Sequence, residues 1–319
     1  PSVMSEFQFD GYLRASAGED GKSSKGGGGW RPNEQQATNM VFPDGTWGNG
    51  SREQQDTSIV ANRPVIVGNQ DVRIGGYRRY VDKSSPREEF RAAIGTANLL
   101  PRNVIIDNLR NFSSKYATFC ELALQGEGIC FAFDEKVTGS GILTLAACLE
   151  CLGFQYFEGR NSIFVGENEG LKPYCSSTDK STKRTIRPDF TPAPRFSILY
   201  QDTVEYSDRI LEAMNCYENR HGDYVKILLC GKVAREGISV SNVRQIHILT
   251  SSWNQSNNLQ ALARGIRATS HVDLIEERRR LAQTEEERNN IKIDVLIFNH
   301  VSLPPYANVE EMMRSGVIL

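Results

Sequence analysis

Three polar side chains in the last quarter of the sequence have the types and the spacing to bind phosphate groups. Gln260 and Arg264 are one helical turn apart, and Arg267 follows Arg264 at i+3, so one face of a helix would carry all three. A planar guanidinium binds phosphate oxygens well, and two of them on one face predict a site for a polyanion. The alternative is that both arginines pair with acidic side chains on the helix surface.

The elements that must position these side chains are predicted from the same stretch, residues 226–271. Ile227–Cys230 and Ile246–Leu249 are apolar runs of strand length, and the polar segment Arg235–Ser239 lies between them. A helical pattern follows over Asn257–Thr269. Strand, polar loop, strand and helix predict an α/β fold with ligands at the carboxyl ends of the strands.

These motifs resemble those of a known family. The run from Gln260 to Arg267 (QALARGIR) resembles the QxxGRxxR motif that closes the second RecA-like lobe of superfamily 2 helicases. Arg235–Ser239 (REGIS) and Asn242–His247 (NVRQIH) are similar to the motif just before it. With a Trp-Asn pair and a final Ser-His, they most resemble the helicase-like transcription ATPases of poxviruses and other large DNA viruses of eukaryotes. Ala263 stands where the family usually has glycine, and its methyl group makes close backbone approach harder.

The resemblance implies an NTP-driven motor that uses ATP with Mg²⁺. Arg264 and Arg267 would stabilise the charge that develops at the leaving γ-phosphate, and Gln260 would help to set their geometry. Glu236 and Gly237 would contact the nucleotide together with Gln260, and would couple its state to the grip on nucleic acid.

The resemblance also assigns contacts with nucleic acid, either DNA or RNA, to four residues. These are Asp134, Asp202, Thr203 and Ser239. Asp134 ends an apolar run that is predicted to be a buried parallel strand. With Glu135 it could instead bind magnesium or lie on a plain surface, although the magnesium motif needs a phosphate-binding loop upstream. Asp202 and Thr203 could instead cap the helix that follows them.

The phosphate-binding loop of such a motor is missing from the 319 residues. Gly21-Lys22-Ser23 looks like the end of one, but Ser16 stands where its first glycine is required and no apolar strand precedes it. The resemblance therefore implies a partner, an N-terminal RecA-like lobe that carries the loop and holds most of the ATP and Mg²⁺. No metal ligand is assigned to this chain.

A second hypothesis remains open beside the motor. The chain could be a catalytically inactive helicase-like module that acts as a structural or docking subunit of a viral assembly. The irregular composition of the first hundred or so residues favours this alternative, and the intact arginine pair disfavours it. For the motor, the resemblance implies viral transcription machinery as a further partner and a location in the virion and the host cytoplasm.

Composition fits a globular protein of one large or two small domains. Of the 319 residues, 39% are hydrophobic and 24% are charged, and the net charge of −2 does not by itself indicate nucleic-acid binding. No apolar run reaches the roughly 20 residues of a membrane span, so no membrane partner is expected, and no signal-peptide pattern opens the sequence. The start at Pro1 predicts a processed product or an excerpt of a longer chain.

Seven cysteines without a regular spacing predict reduced thiols in a reducing compartment. Cys148 and Cys151 form the only CxxC pair, and they lie in a helical pattern without a second pair at zinc-finger spacing. They are predicted to be core thiols, with a metal site as the alternative.

Two domains are predicted from these patterns. Residues 1–97 form an irregular arm or linker between lobes, and residues 98–319 form a RecA-like lobe with a mostly parallel sheet and helices on both faces. Residues 161–194 are predicted to be an insertion in this lobe. Residues 274–290 are predicted to be a solvated helix, with a partner-binding arm as the alternative.

Four further segments carry the resemblance outside the arginine motif. SEFQ at 5–8 and NMVFP at 39–43 are similar to segments that lie in the connection between the family's two lobes. Ser114-Lys115 resembles the segment that opens the second lobe, and ENRHG at 218–222 matches a run that precedes a strand.

Overall fold

The computed structural model describes residues 1–20, 32–50, 65–67, 70–72, 75–82, 87–165, 185–231, 238–250 and 270–306. The chain divides into two compact units. Unit 1 comprises Pro1–Leu122, Glu135–Gly153 and Asn299–Leu319, and unit 2 comprises Ala123–Asp134 and Phe154–Phe298. The boundary predicted near residue 97 falls inside unit 1, and the division into 1–97 and 98–319 stays a prediction.

In the described residues the strands are, in chain order, β1 (Ser2–Val3), β2 (Val65–Val67), β3 (Gln70–Val72), β4 (Ile129–Phe133), β5 (Gln155–Tyr156), β6 (Arg195–Leu199), β7 (Ile227–Cys230), β8 (Val243–Ile248), β9 (Leu296–Asn299) and β10 (Ser302–Leu303). The α-helices there are α1 (Glu6–Asp20), α2 (Pro32–Asn39), α3 (Gly76–Tyr80), α4 (Glu88–Ile94), α5 (Arg102–Phe112), α6 (Ser114–Gln125), α7 (Ile142–Cys151), α8 (Ser207–Asn215), α9 (Val272–Leu281) and α10 (Glu285–Asn289).

Unit 2 is organised around a six-stranded sheet in the order β5-β6-β7-β4-β8-β9. Its first five strands pair in parallel, and at the centre Phe131 of β4 lies opposite Leu228 of β7 and Ile246 of β8. Every residue of β4 is buried, because a central parallel strand is covered on both faces and needs a continuous apolar run. The predicted α/β class with a mostly parallel sheet is confirmed.

Helix α8 packs on this sheet through one apolar side. Ile210, Ala213 and Met214 are buried in the same core cluster as Phe131 and Ile246. Their helical spacing puts them on one face, so the opposite face of α8 is left for solvent. Because β6 and β7 are parallel, the chain must return through α8 to the amino end of β7, and α8 ends on that side of the sheet.

The ends of the predicted insertion belong to the core of unit 2. Phe164 forms an antiparallel bridge with Ile186, and Arg187 donates its N–H to the carbonyl of Ile163 at 2.8 Å. Ile163 and Phe164 are both buried. The rest of the insertion, residues 166–184, lies outside the described residues.

The helix predicted over residues 274–290 is two helices, α9 and α10. Thr284 accepts a hydrogen bond from the N–H of Glu287 at 3.2 Å, and the Glu287 carboxylate accepts one from the N–H of Thr284 at 3.2 Å. This capping box begins a new helix and separates it from α9. On α9, Glu276 and Arg280 form an i, i+4 ion pair at 3.3 Å, as a solvated helix would carry.

Unit 1 contains α1 to α5, most of α6, and α7, together with the parallel pair of β1 and β10. The sequence predicted an irregular arm over residues 1–97, but both α1 and α2 lie before residue 50, so this part of the arm is more regular than its composition indicated. Phe42, Phe90 and Leu109 are buried in this unit. Among the described helices of the whole chain, none is long and apolar enough to cross a bilayer.

Candidate functional site

The residues that the resemblance assigns to the nucleotide lie outside the described residues. They are Gln260, Arg264, Arg267, Glu236 and Gly237. The structure describes the segments around them, namely β8, the residues just before it, and the chain from Ser270 onward. The roles of these five residues stay predictions. The segments that flank them in the sequence show how this part of the chain is held.

Asp134 follows the carboxyl end of β4, at the centre of the edge where α/β sheets bind ligands. Its N–H donates to the carbonyl of Cys230 at 3.1 Å and extends the pairing of β4 with β7. Asp134 is completely buried. A contact between its carboxylate and nucleic acid would therefore require this edge to open.

Asp202 and Thr203 lie in a 3-10 turn, Gln201–Tyr206, at the same edge of the sheet. The Thr203 hydroxyl accepts a hydrogen bond from the N–H of Tyr200 at 3.0 Å and lies 2.9 Å from the carbonyl of Ile198, to which it donates. These bonds use the hydroxyl inside the turn. Asp202 is exposed, and burial followed by the Asp202 charge raises the pKa of the Tyr200 hydroxyl.

Ser239 lies at the opposite end of the strands from Asp134 and Asp202. Its carbonyl accepts a hydrogen bond from Nδ2 of Asn215 at 3.0 Å, and Oδ1 of Asn215 accepts one from the N–H of Ser241 at 2.6 Å. Asn215 is the last residue of α8, so this amide fixes the segment before β8 near the amino ends of the strands. The structure therefore brings Asp134 and Asp202 to one edge and does not bring Ser239 to it.

Three segments that resemble the family meet at the first turns of α9, at the amino ends of β7 and β8. They are ENRHG at 218–222, NVRQIH at 242–247 and the Ser-His pair at 270–271. We call this cluster the α9 junction. Its residues are Arg220, His221, Asn242, His271, Asp273 and Glu277.

Glu277 binds both basic side chains of the ENRHG run. Its carboxylate lies 2.5 Å from Nη2 of Arg220 and 2.7 Å from Nε2 of His221. A carboxylate only accepts hydrogen bonds, so the His221 ring carries a proton on that nitrogen. The Arg220 guanidinium also lies 4.1 Å from the centre of the Tyr217 ring. The hydrogen bond from Arg220 is the largest cause that lowers the pKa of Glu277.

Asn242 joins the start of β8 to the residues that precede α9. Its N–H donates to the carbonyl of Ser270 at 2.6 Å, and its Nδ2 donates to Oδ2 of Asp273 at 3.0 Å. Next to it, Nε2 of His271 donates to the carbonyl of Val243 at 2.7 Å. Two adjacent residues of one segment are thus tied to two adjacent residues of the other.

The sequence reasoning missed the acidic half of this junction. Glu277 fell within the solvated helix predicted over 274–290, and Asp273, just before it, was given no role, yet Asp273 is buried and both face the motif segments. Their i, i+4 spacing directly after the Ser-His pair was the available signal, because it puts two carboxylates on one face of α9.

Asn219, next to Arg220, has a purely structural place in the same run. Its Nδ2 donates to the carbonyls of Met214 and Val225, at 3.2 and 3.1 Å. Its Oδ1 accepts from the N–H groups of Tyr224 and Val225, at 3.0 and 2.9 Å. The side chain is fully buried, and it closes the turn that leads into β7.

In unit 1, the other family-like segments also hold one another. Nζ of Lys115 donates to Oδ1 of Asn39 at 2.9 Å, and the Ser113 hydroxyl donates to the carbonyl of Asn39 at 2.5 Å. The side-chain amide of Gln8 is also an acceptor, since its Oε1 accepts a hydrogen bond from the N–H of Ser114 at 2.9 Å. The segments SEFQ, NMVFP and Ser-Ser-Lys are therefore connected by buried hydrogen bonds.

Ser140, in the turn before α7, extends this network. Its hydroxyl donates to the carbonyl of Met40 at 2.8 Å and accepts from the N–H of Gly48 at 3.1 Å. Its own N–H donates to Oε1 of Gln36 at 2.7 Å, and its carbonyl accepts from the Tyr116 hydroxyl at 2.6 Å. We call the side chains of Gln8, Asn39, Ser113, Lys115 and Ser140 the unit 1 network.

The CxxC pair has the environment of core thiols. Cys148 and Cys151 are buried in unit 1, and burial raises the pKa of both, to about 11 for Cys151. Among the described residues, no group of three or more His, Cys, Asp or Glu side chains is arranged to hold a metal ion. The described cysteines, six of the seven, are free thiols.

No family model matches the chain. Protein 087L of Invertebrate iridescent virus 3, named as a helicase, is 29% identical over 308 residues, which cover 95% of this chain and 24% of that protein. A protein of Heliothis virescens ascovirus 3e named as an ATP-dependent RNA helicase is 27% identical over 269 residues, covering 80% of this chain and 24% of that protein. Nucleoside triphosphatase I of Melanoplus sanguinipes entomopoxvirus is 25% identical over 175 residues, covering 55% and 21%.

The chain thus spans about a quarter or less of the length of these relatives. Among solved structures, the C-terminal part of the Fun30 ATPase domain matches with a TM-score of 0.32 and 12% identity, over 63% of this chain and 45% of that one. The sequence matches agree with the resemblance carried by the motifs. The chain is a homologue of the helicases and nucleoside triphosphatases I of iridescent viruses, ascoviruses and entomopoxviruses.

Proposed function

We propose that this chain supplies one half of the NTPase site of a viral helicase or translocase. Arg264 and Arg267 act on ATP and Mg²⁺ that are held mainly by an N-terminal RecA-like lobe with a phosphate-binding loop. Gln260, Glu236 and Gly237 complete the contacts that this chain makes with the nucleotide. The motor works in viral transcription, in the virion and the host cytoplasm.

The α9 junction is the observation that carries this proposal. ENRHG, NVRQIH and Ser-His are 20 or more residues apart in the sequence, yet they meet in one cluster of hydrogen bonds and ion pairs. A cluster of this kind supports a common role for the segments that resemble the family. The names of the relatives, helicase and nucleoside triphosphatase, support the class of reaction.

The chemistry of phosphoryl transfer explains why arginines from a second lobe would matter. Charge accumulates on the oxygens around the transferred phosphoryl group, and Mg²⁺ on the partner lobe neutralises part of it when bound. A guanidinium that is already positioned stabilises the remainder without reorganisation. Two arginines on one face of the predicted helix can therefore make hydrolysis depend on how the lobes meet.

Nucleic acid is the second ligand of the proposed motor. Of the four residues predicted to contact it, Asp202 is exposed, whereas Asp134, Thr203 and Ser239 are buried. A contact through the three buried residues would require rearrangement of the loops around them. Asp202, in the exposed turn, is therefore the first residue to substitute when nucleic-acid binding is tested.

Steady-state ATP hydrolysis tests the proposal. The isolated chain is expected to show no turnover, because the phosphate-binding loop is not in its sequence. In protein that joins this chain to the lobe carrying the loop, Arg267→Ala is expected to lower nucleic-acid-stimulated turnover on the order of 1,000-fold. Urea denaturation should give unchanged stability for the same variant.

Arg280→Ala is the matched control. Its side chain is 61% exposed on α9 and pairs with Glu276, so its removal takes away an arginine without touching the proposed site. Turnover of this variant should equal that of the unmodified protein. Robust hydrolysis by the isolated chain, or normal turnover of Arg267→Ala, would overturn the proposal and favour a catalytically inactive docking subunit.

A further inference from the structure

We propose that Asn242 is a positioning residue that sets the arginine pair through its hydrogen bonds to Ser270 and Asp273. This inference rests on the proposed function, because it assigns a structural cause to the placement of Arg264 and Arg267. Asn242 itself touches neither nucleotide nor nucleic acid in the proposal. Its effect is on where the chain after the arginine motif is fixed.

The backbone of Asn242 is the first support. Its φ is +58°, and it is the one non-glycine residue with positive φ in the described part of the chain. Asparagine tolerates this left-handed conformation better than other side chains do, apart from glycine. The conformation turns the N–H of Asn242 onto the carbonyl of Ser270 at 2.6 Å, so backbone geometry and hydrogen bond depend on each other.

The side chain of Asn242 is the second support. It is fully buried, and Nδ2 donates to Oδ2 of Asp273 at 3.0 Å. Oδ1 has no hydrogen-bond partner, so the side chain acts through its donor alone. A buried carboxylate needs such a donor, and Asp273 is only 5% exposed. The amide is therefore required by polarity as well as by shape.

The position of Ser270 links this contact to the arginines. Ser270 follows Arg267 by three residues, and a three-residue segment spans at most about 10 Å. Asn242 therefore fixes a backbone group that lies within about 10 Å of Arg267 along the chain. Catalytic groups that are misplaced by about 1 Å can lose on the order of 100-fold in rate.

Asn242→Asp is the primary test, in protein that joins this chain to the lobe with the phosphate-binding loop. The aspartate keeps the size of the side chain but sets a second carboxylate against Asp273. We expect kcat for ATP hydrolysis to fall on the order of 100-fold. KM for ATP should change less than about threefold, because the partner lobe holds most of the nucleotide.

Rescue by reversed polarity separates positioning from simple damage. In the double variant Asn242→Asp with Asp273→Asn, the new amide at 273 can donate to the new carboxylate at 242. We expect kcat to return to within about threefold of the unmodified protein. Asp273→Asn alone should also stay within about threefold, since its amide oxygen can still accept from Asn242.

Asn242→Gly covers the case in which the aspartate variant fails to fold. Glycine keeps the positive φ and the bond to Ser270 but removes the bond to Asp273, so an intermediate loss of about tenfold in kcat is expected. Asn290→Asp, exposed after α10, is the control and should leave kcat unchanged. Equal kcat for Asn242→Gly and the unmodified protein would overturn the inference, as would failure of the double variant to recover.

The outcome for Arg267→Ala in the same preparation keeps the two proposals apart. If Arg267→Ala loses turnover while the Asn242 variants keep it, the positioning role is wrong and the proposed function stands. If Arg267→Ala keeps turnover, the proposed function is wrong, and the role of Asn242 is wrong with it.

Discussion

The unit 1 network and the α9 junction both hold together segments that resemble one family, but they do so with different interactions. In unit 1, Asn39, Ser113 and Ser140 are completely buried and bond mainly to backbone groups and neutral side chains, apart from the contact of Asn39 with the buried Lys115 ammonium. In the α9 junction, Glu277 forms an ion pair with Arg220 and a hydrogen bond with His221, whose side chain is 47% exposed. One cluster is sealed, and the other is partly open to solvent.

This difference indicates that the motif segments of the two clusters serve different purposes, stability in one and function in the other. A sealed network costs stability when any member is lost, because the remaining partners stay buried without hydrogen bonds. Exposed ion pairs contribute little to stability, since water screens and replaces them. Motif residues in unit 1 are therefore expected to act as scaffold, whereas those of the α9 junction can serve position and function at a small cost in stability.

The largest stability effect is expected at Asn219. This fully buried residue belongs to ENRHG, a segment of the α9 junction, so it tests whether burial or membership of the junction decides the effect. Asn219→Ala removes four hydrogen bonds to backbone groups, three of them buried, and should lower the free energy of unfolding by about 3 kcal/mol. Urea denaturation measures this, with the exposed Asn161→Ala as the matched control. If the free energy of unfolding falls by less than about 1 kcal/mol, burial of the hydrogen bonds does not determine how much Asn219 contributes to stability.

Asn39→Ala is expected to be next in size. It removes one acceptor of the buried Lys115 ammonium, and hydrogen bonds to charged groups contribute about 1.5–3 kcal/mol, so a loss of about 2 kcal/mol is expected. Changing Lys115 to methionine in the Asn39→Ala background should recover part of the loss, because the ammonium that lost this acceptor is then absent. If the double variant is less stable than Asn39→Ala, the contact is not what holds this network.

The sequence predicted the sheet well because its signal is local. The run GICFAF at 128–133 is continuous and apolar, and the structure buries the strand that it forms. Parallel pairing with β7 and β8 follows from the alternation of strands with helices. The break between α9 and α10 was not predicted, although its signal is also local, since Thr284 and Glu287 have the spacing of a capping box.

The clusters were less predictable because their partners are distant in sequence. Glu277 binds Arg220 across 57 residues, and Asn39 binds Lys115 across 76. Nothing in the charged run EERRR distinguishes the glutamate that pairs with Arg220 from the one that pairs with Arg280. Only the fold decides which charge on α9 faces the sheet and which faces water.

Glu277→Gln is expected to have the smallest effect on stability, and the lowered pKa of Glu277 determines how this effect depends on pH. The folded pKa of Glu277 is lowered by Arg220, below an unfolded value of about 4.3, so the carboxylate contributes stability above that value. The contribution is lost as pH falls through the folded pKa. At pH 7 the variant should therefore be less stable by under about 1 kcal/mol, because the pair is partly exposed.

Unfolding in urea at pH 7 and at pH 3 measures this difference, with the exposed Glu286→Gln as the matched control. The two glutamine variants should differ at pH 7, and the difference should shrink as the pH falls to 3, because Glu277 in the unmodified protein loses its charge as the pH falls through its lowered pKa. Added salt at pH 7 should also reduce the difference, since exposed ion pairs are screened. An effect at pH 7 as large as that of Asn39→Ala would show that the α9 junction is as sealed as the unit 1 network, and the contrast between them would no longer hold.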